Sequence, residues 1–353
     1  MKKLLHIGPL AIGGTSPVRV ESMLKVPLSR PEECLAQCNA LGRASCELVR
    51  VAFPSPDLSG ELRMLNAEST VPLMADIHFD PALALAALEA GVPPIRINPG
   101  NMARNRLRDV VRSARERKAV IRIGANGGSL NAAQLAKCRG VLSDGLAAAV
   151  EEQLHLLLDE GFDDIILSAK SSSVADTLRA NALLSARYPD FPLHIGITES
   201  GSGSDGLVKS AAGLALLLGQ GMGDTIRVSL TEPPEAEVAA GFSLLRALGL
   251  RKKGVTVISC PTCGRRRIDV RGLLDSLSAC FETLPDDTTV AVMGCEVNGP
   301  QEARDADFGI AGTAAGVAVF RRGEILRNVA LGDVPAVVAE FASEIRRERK
   351  REN

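Results

Sequence analysis

Val120-Ile121-Arg122-Ile123-Gly124-Ala125 and Ile165-Ile166-Leu167-Ser168-Ala169-Lys170 are short β-branched runs on either side of the Ala/Leu-rich interval 132–161. Two strands joined by a helix of this length run parallel, because the crossover returns the chain to the same end of the sheet. The pattern repeats outward in both directions. Strands are expected at 18–23, 47–53, 72–78, 95–99, 120–125, 165–170, 193–198 and 225–230, the number that closes a (β/α)8 barrel. Helical intervals such as 81–91 and 210–221 stop at glycine, as helices commonly do. After Leu250 the character changes. Arg251-Lys252-Lys253-Gly254 reads as a linker, and a strand at 255–259, a helix near 271–284 and a strand at 288–293 are too short to extend the barrel. The expected fold class is α/β: an N-terminal (β/α)8 TIM-type barrel over 1–250, followed by a small α+β domain over 251–353.

Composition narrows the function. Hydrophobic content of 46% with 24% charged residues suits a folded chain of 353 residues, and 41 basic against 42 acidic residues leave no global field to attract nucleic acid or a membrane. The N-terminus lacks a signal-peptide core, and no run approaches the roughly 18 apolar residues of a membrane span. A cytoplasmic location is expected, where eight cysteines stay reduced and a close pair serves metal or redox chemistry. The charge run 346–353 reads as a solvated helix end.

Residues two apart in a strand share a face, and the inward face at the C-terminal end of a barrel strand opens on the active site. Five strands place a cation there: Arg50, Arg96 with Asn98, Arg122 with Asn126, Lys170, and Arg227 with Ser229. One such cation is explained by an internal ion pair. Five outnumber the acids expected at that level, Glu21, Asp76 and Glu199, so a polyanion such as a diphosphate is the expected ligand. The seventh strand runs through Glu199 into Gly201-Ser202-Gly203-Ser204-Asp205-Gly206, where barrels often bind phosphate on backbone N–H groups. Its literal GxGxxG pattern lies too late in the chain to argue for a dinucleotide. Asp76 and His78 share a face at the end of the third strand and are expected to donate protons or touch ligand.

The second domain opens with Cys260-Pro261-Thr262-Cys263-Gly264-Arg265, and Cys295 follows in Gly294-Cys295-Glu296-Val297-Asn298-Gly299-Pro300. A C-x-x-C pair with a distant third cysteine suits a zinc site or an iron–sulfur cluster. No histidine follows His194, so a Cys3His site within this domain is excluded. Cys280 could complete a four-cysteine site, but with Leu273, Leu277 and Leu284 it lies on one apolar helical face, where cysteine is a small buried hydrophobe. Cys34, Cys38, Cys46 and Cys138 are read the same way. Three thiolates and one harder ligand leave one metal corner distinct, and Glu302 is the candidate carboxylate.

Together these motifs resemble one family, the (E)-4-hydroxy-3-methylbut-2-enyl diphosphate synthases, from about Val18 to Gly312. The resemblance rests on Leu48-Val49-Arg50-Val51, Ala75-Asp76-Ile77-His78-Phe79, Ile95-Arg96-Ile97-Asn98-Pro99-Gly100-Asn101, Ile121-Arg122-Ile123-Gly124, Gly196-Ile197-Thr198-Glu199, Gly223-Asp224-Thr225-Ile226-Arg227-Val228-Ser229-Leu230 and the two cysteine boxes. It implies a [4Fe–4S] cluster on Cys260, Cys263, Cys295 and Glu302. It also implies reductive opening of 2-C-methyl-D-erythritol 2,4-cyclodiphosphate, with loss of water and two electrons from ferredoxin or flavodoxin. Arg50, Arg96, Asn98, Arg122, Asn126, Lys170, Arg227 and Ser229 would then bind substrate, with Glu199, Asp76 and His78 as proton sources. Where that family usually reads Gln-Ser-Met and then a Thr/Asn-rich stretch, this chain has Glu21-Ser22-Met23-Leu24-Lys25-Val26-Pro27-Leu28-Ser29-Arg30. Gly128 replaces a usual alanine, and Gln301 a usual glycine beside Glu302. Two rivals are a redox-inert barrel lyase or transferase with a structural zinc ribbon, and a non-catalytic anion-binding or iron-sensing protein.

Barrel geometry bears on assembly. The last barrel helix, near 235–250, runs against the strands and ends roughly 24 Å from the mouth at ~1.5 Å per residue. The four-residue linker spans only about 14 Å. A homodimer that lays each second domain over the partner's barrel is therefore expected, which the resemblance also implies.

Overall fold

The computed structural model describes residues 2–77, 80–98, 102–130, 132–297 and 299–352. The chain divides into two compact units, Met1–Arg251 and Lys252–Asn353. Among the described residues no helix is long and apolar enough to cross a membrane.

The first unit begins with a hairpin, β1 (Leu5–Ile7) and β2 (Leu10–Ile12), that the sequence reading did not anticipate. Its alternating residues Leu5, Ile7, Leu10 and Ile12 join Leu48, Met74, Val120 and Ile166 in an apolar cluster. Those last four stand at or near the starts of barrel strands, so the hairpin seals the end of the barrel opposite the strands' C-terminal ends. The barrel strands are β3 (Arg19–Met23), β4 (Leu48–Ala52), β5 (Leu73–Asp76), β6 (Ile95–Ile97), β7 (Ile121–Asn126), β8 (Ile165–Lys170), β9 (His194–Ile195) and β10 (Thr225–Ile226). All neighbours pair in parallel in the order β8-β7-β6-β5-β4-β3-β10-β9, and a bridge from Leu167 to Leu193 brings β8 to β9 and closes the ring. Every expected strand is present, and the last two are shorter than expected because their C-terminal residues leave the ladder.

Helices α1 (Pro31–Arg43), α2 (Ser59–Glu68), α3 (Pro81–Glu89), α4 (Arg104–Glu116), α5 (Ala132–Lys137), α6 (Leu142–Asp159), α7 (Val174–Arg187), α8 (Gly203–Leu218) and α9 (Pro234–Ala247) form the outer layer. Several start on local chemistry: Asp80 and Ser173 accept N–H bonds from Ala82 and Asp176, and proline opens α1, α3 and α9. Cys34, Cys38 and Cys46 are buried in the barrel core, where burial pushes the Cys38 thiol up to about 11 and Cys46 to about 12. Arg251, placed in the linker by sequence, belongs to this unit. It donates to the Val18 carbonyl and Glu47, and its guanidinium lies 5.2 Å from the centre of the Phe242 ring.

The second unit is built on a five-stranded sheet, β11 (Val255–Ser259), β12 (Thr288–Met293), β13 (Phe308–Thr313), β14 (Gly316–Arg321) and β15 (Glu324–Val329), in that order. The first three strands are parallel and the last two continue antiparallel. Period-two alternation sorts β12: Val290 and Val292 pack under α10 (Val270–Phe281), whereas Ala291 and Met293 face the other side with Ala311 and Phe320. A four-residue helix, α11 (Gly299–Glu302), and the long α12 (Val334–Glu352) complete the unit. Phe341 of α12 stacks on Phe308 with ring centres 4.5 Å apart. The terminal charge run does more than meet solvent: Arg346 donates to the Thr283 carbonyl, and Arg349 to those of Asp286 and Asp287.

Candidate functional site

Parallel pairing sets the C-terminal ends of the barrel strands at one level. Met23 pairs with Arg50, Asp76 with Arg96, Arg96 with Arg122, and Asn126 with Lys170. One cavity of about 70 Å³ is lined by Arg50, Asp76, Arg96, Arg122, Asn126, Lys170, Arg227 and Ser229, together with Ser168, His194 and Thr198. All five expected cations therefore meet at one place. Asn98 is half-buried and does not line this cavity. Glu199 is exposed, with φ at +50°, and His78 lies outside the described residues. A non-glycine residue in that backbone region is strained, which a functional position often explains.

The acids are arranged beneath and between the cations. Glu21 and Arg122 form an ion pair in which both side chains are almost wholly buried. Burial alone would raise the Glu21 carboxyl pKa, but Arg122, Arg50 and Lys170 outweigh it and hold it below the usual range. Asp76 lies 3.5 Å from both Arg50 and Arg96. Burial brings the Arg50 pKa down to about 10, with Asp76 opposing, so it stays charged at neutral pH. Met23 presents its sulfur to Arg50 at 2.9 Å and to Arg227 at 3.6 Å.

Two participants, His194 and Glu237, escaped the sequence reading. His194 is fully buried, with Nε2 2.6 Å from Lys170 Nζ and Nδ1 2.7 Å from Thr225 Oγ1. Its pKa is pushed well below 6.5, first by burial and then by Arg122 and Lys170, so the ring is neutral. A Cβ on Gly196 would stand 2.7 Å from the Arg227 carbonyl oxygen and 3.6 Å from Lys170 Nζ, so glycine keeps this corner open. Lys170 is also depressed, well below 10.5, by burial and by Arg122 and Arg50. Glu237, from the first turn of α9, is buried 3.8 Å from Arg227 and pairs with Lys25 at 3.0 Å. Position in strand nine could have flagged His194, which is two residues before Gly196 and four before Thr198. Nothing in the sequence ties Glu237 to Lys25, because only tertiary folding brings them together.

The second unit holds a separate site. Register places Ser259 beside Val292, so the chain leaves the parallel strands β11 and β12 at one edge, and Cys260 and Cys295 emerge together. Ligand sites of open parallel sheets lie at such strand ends. Cys260, Cys263, Cys295 and Glu302 line a cavity of about 150 Å³ with Pro261, Thr262, Arg265, Met293 and Gly299. The Gly294 N–H donates to Cys260 Sγ at 3.1 Å, and a Cβ there would stand 3.2 Å from that sulfur. Thr262 turns the C-x-x-C segment with φ at +63°. All eight cysteines are free of disulfides. Among the described residues no three His, Cys, Asp or Glu side chains converge as a single ion requires. Three thiols and a carboxylate on one cavity wall are a donor set of the kind that holds an iron–sulfur cluster. Cys280 does not line it; half-buried, it packs against the core of the second unit.

Comparison with known proteins gives the same division. Residues 2–242 match the model described as GcpE TIM-barrel domain, and residues 256–347 match GcpE protein C-terminal domain. The chain is 46% identical over 342 residues to a protein of Maridesulfovibrio salexigens, covering 97% of this chain and 95% of that one. It is 44% identical to one of Geobacter sulfurreducens, over 95% and 96% of the two chains, and 42% identical to one of Thermotoga maritima, over 93% and 94%. All three bear the name 4-hydroxy-3-methylbut-2-en-1-yl diphosphate synthase (flavodoxin). Among solved structures, a Yersinia pestis dihydropteroate synthase aligns with a TM-score of 0.49 and 13% identity, over 70% of this chain and 100% of that one.

Proposed function

This chain belongs to the GcpE family of 4-hydroxy-3-methylbut-2-en-1-yl diphosphate synthases, and we propose from that premise that it opens 2-C-methyl-D-erythritol 2,4-cyclodiphosphate reductively, with flavodoxin as electron donor. In the net reaction two electrons enter, one ring C–O bond breaks to free a phosphate oxygen, and a hydroxyl leaves as water after protonation. One observation carries the assignment of substrate to the barrel: Arg50, Arg96, Arg122, Lys170 and Arg227 meet in one cavity, where Glu21, Asp76 and Glu237 are too few to balance them. A cyclic diphosphate carries the missing negative charge and accepts several charge-assisted hydrogen bonds.

Each side chain then has a task. Arg50 and Arg96 are aimed by Asp76, and Arg122 by Glu21; together with Lys170 and Arg227 they hold the diphosphate, and Asn126 and Ser229 add neutral hydrogen bonds. Glu199 is the proton source for the departing oxygen, on an exposed, strained turn that follows Thr198 of the cavity wall. Ion pairs with Arg50 and Arg96 fit Asp76 better for orienting arginines than for giving up a proton. Cys260, Cys263, Cys295 and Glu302 would hold a [4Fe–4S] cluster, which supplies reducing electrons and Lewis acidity when bound. Three thiols and a carboxylate lining one cavity, in a member of this family, support the cluster reading. Anaerobic reconstitution should give about four iron atoms per chain and turnover of the cyclic diphosphate with reduced flavodoxin. Colourless protein with one zinc per chain would overturn this reading.

A further inference from the structure

The first βα loop brings an unusual cation, Lys25, to the rim of the barrel cavity. Its Nζ donates to the Leu230 carbonyl at 2.9 Å and to the Glu232 carbonyl, and pairs with Glu237 Oε1 at 3.0 Å. Glu237 is 1% exposed, so nearly all its charge must be met by protein groups. Oε1 also accepts the Leu230 N–H at 3.1 Å, while Oε2 accepts from Ser22 Oγ at 3.3 Å and lies 3.8 Å from Arg227 Nη2. One carboxylate thus ties the start of the first loop to the segment that follows the last barrel strand. Arg227 is held loosely by comparison, and its Nε is buried without a hydrogen-bond partner among the described residues. A buried carboxylate with a single cation beside it closes on that cation. Here Lys25 is the nearer cation, at 3.0 Å from Oε1 against 3.8 Å from Oε2 to Arg227, so the Glu237 charge is met without a tight pair to Arg227, which keeps hydrogen-bonding capacity for a ligand.

We propose that Lys25 and Glu237 form a charge latch that leaves Arg227 available to the anionic ligand, with Glu237 as positioning residue and Lys25 as the cation that satisfies it. The proposal rests on the barrel cavity being the diphosphate site. Without Lys25, Glu237 would draw Arg227 into a tight pair and compete with the ligand. Lys25→Met should therefore weaken binding of the cyclic diphosphate, and of inorganic pyrophosphate as a simpler probe, about tenfold. The turnover number of the cluster-loaded enzyme should change less than about twofold, a loss of uniform binding only. The double variant Lys25→Met/Glu237→Gln should recover affinity to within about threefold of wild type, because the amide oxygen still accepts from Leu230 and has no charge to hold Arg227.

A latch that served structure alone predicts the reverse order, since the second substitution removes a further contact. Calorimetric titration of the holoenzyme variants, with melting curves as a folding check, separates the two. If Lys25→Met does not fold, Lys25→Gln takes its place in the same cycle. Unchanged affinity in the single variant, or a double variant no tighter than the single, overturns the latch. Wild-type protein that binds pyrophosphate yet fails to turn over the cyclic diphosphate would instead sink the functional reading, and the pyrophosphate titrations would still decide the latch.

Discussion

Burial among guanidiniums gives Lys170 a depressed pKa, and this has consequences for pH dependence. In the unfolded chain Lys170 titrates as an ordinary lysine. Between the folded and unfolded pKa values the unfolded chain therefore binds the extra proton, and the ligand-free barrel gains stability as pH rises through that window and loses it as pH falls. On the proposed reading that the barrel cavity takes a diphosphate, the bound ligand would act in the opposite sense by favouring the ammonium. Binding should take up a proton across the window, and affinity should fall by as much as about tenfold per pH unit as pH rises. Calorimetry in buffers of different ionisation enthalpy checks this, and Lys170→Met should abolish the uptake. The cysteines give a second prediction at this scale. Alanine at Cys260, Cys263 or Cys295 should remove the broad visible absorption of the reconstituted protein, whereas Cys280→Ala should retain it; a folded, colourless Cys280 variant would revive a four-cysteine site. Both sets of candidate residues stand out in the sequence for definite reasons. A cation at the end of an apolar strand conflicts with its surroundings, and a C-x-x-C pair followed by a distant third cysteine is a recognisable metal or cluster pattern. His194 raised no such conflict, since a histidine in a strand is usually a satisfied core residue, and here Thr225 and Lys170 flank both ring nitrogens. The Glu21 departure is absorbed in the same way: its added charge is met by Arg122.

Among the elements, the barrel strands were readable because each is a short β-branched run between Ala/Leu-rich helices, whereas the hairpin β1–β2 was not. Its three-residue strands are shorter than any reliable period-two signal, and the Gly8 turn between them has its φ at +55°. The hairpin nevertheless contributes a fully buried Ile12 to the seal beneath the barrel. Ile12→Ala should lower the stability of the first unit by about 2–5 kcal/mol, the usual cost of such a cavity. Because the seal lies at the end of the barrel away from the cations, KM should stay near the wild-type value; a large KM change with an unaltered melting temperature would place the hairpin in ligand binding instead. In the second unit β14 and β15 carried a signal that went unread. Gly316–Arg321 and Glu324–Val329 flank Arg322-Gly323, where φ is +52° and then +82°, as a two-residue hairpin turn requires. Such turns usually carry Asn or Asp at the first position, and arginine there hides the pattern.

For the whole molecule, the reaction needs electrons and diphosphate at one place, while the cations belong to the first unit and the cysteines to the second. The connection between them is short. Arg251 is fixed to the barrel through Glu47 and Val18, and the Gly254 N–H is fixed to Asp286 at 2.9 Å, which leaves little free chain between these anchors. We therefore propose that a second copy of the chain supplies the cluster to each barrel, as in a two-fold dimer whose interfaces repeat by symmetry. The test mixes chains carrying Cys295→Ala with chains carrying an inactivating change at Lys170. Neither parent can react alone. Random pairing makes about half the dimers mixed, and each mixed dimer has one site in which an intact barrel meets an intact cluster, so roughly a quarter of wild-type activity should return. The regained activity should rise with the mixed-dimer fraction and vanish on dilution below the dimer dissociation constant. Mixed dimers verified by mass that stay inactive would mean that one chain builds the whole site.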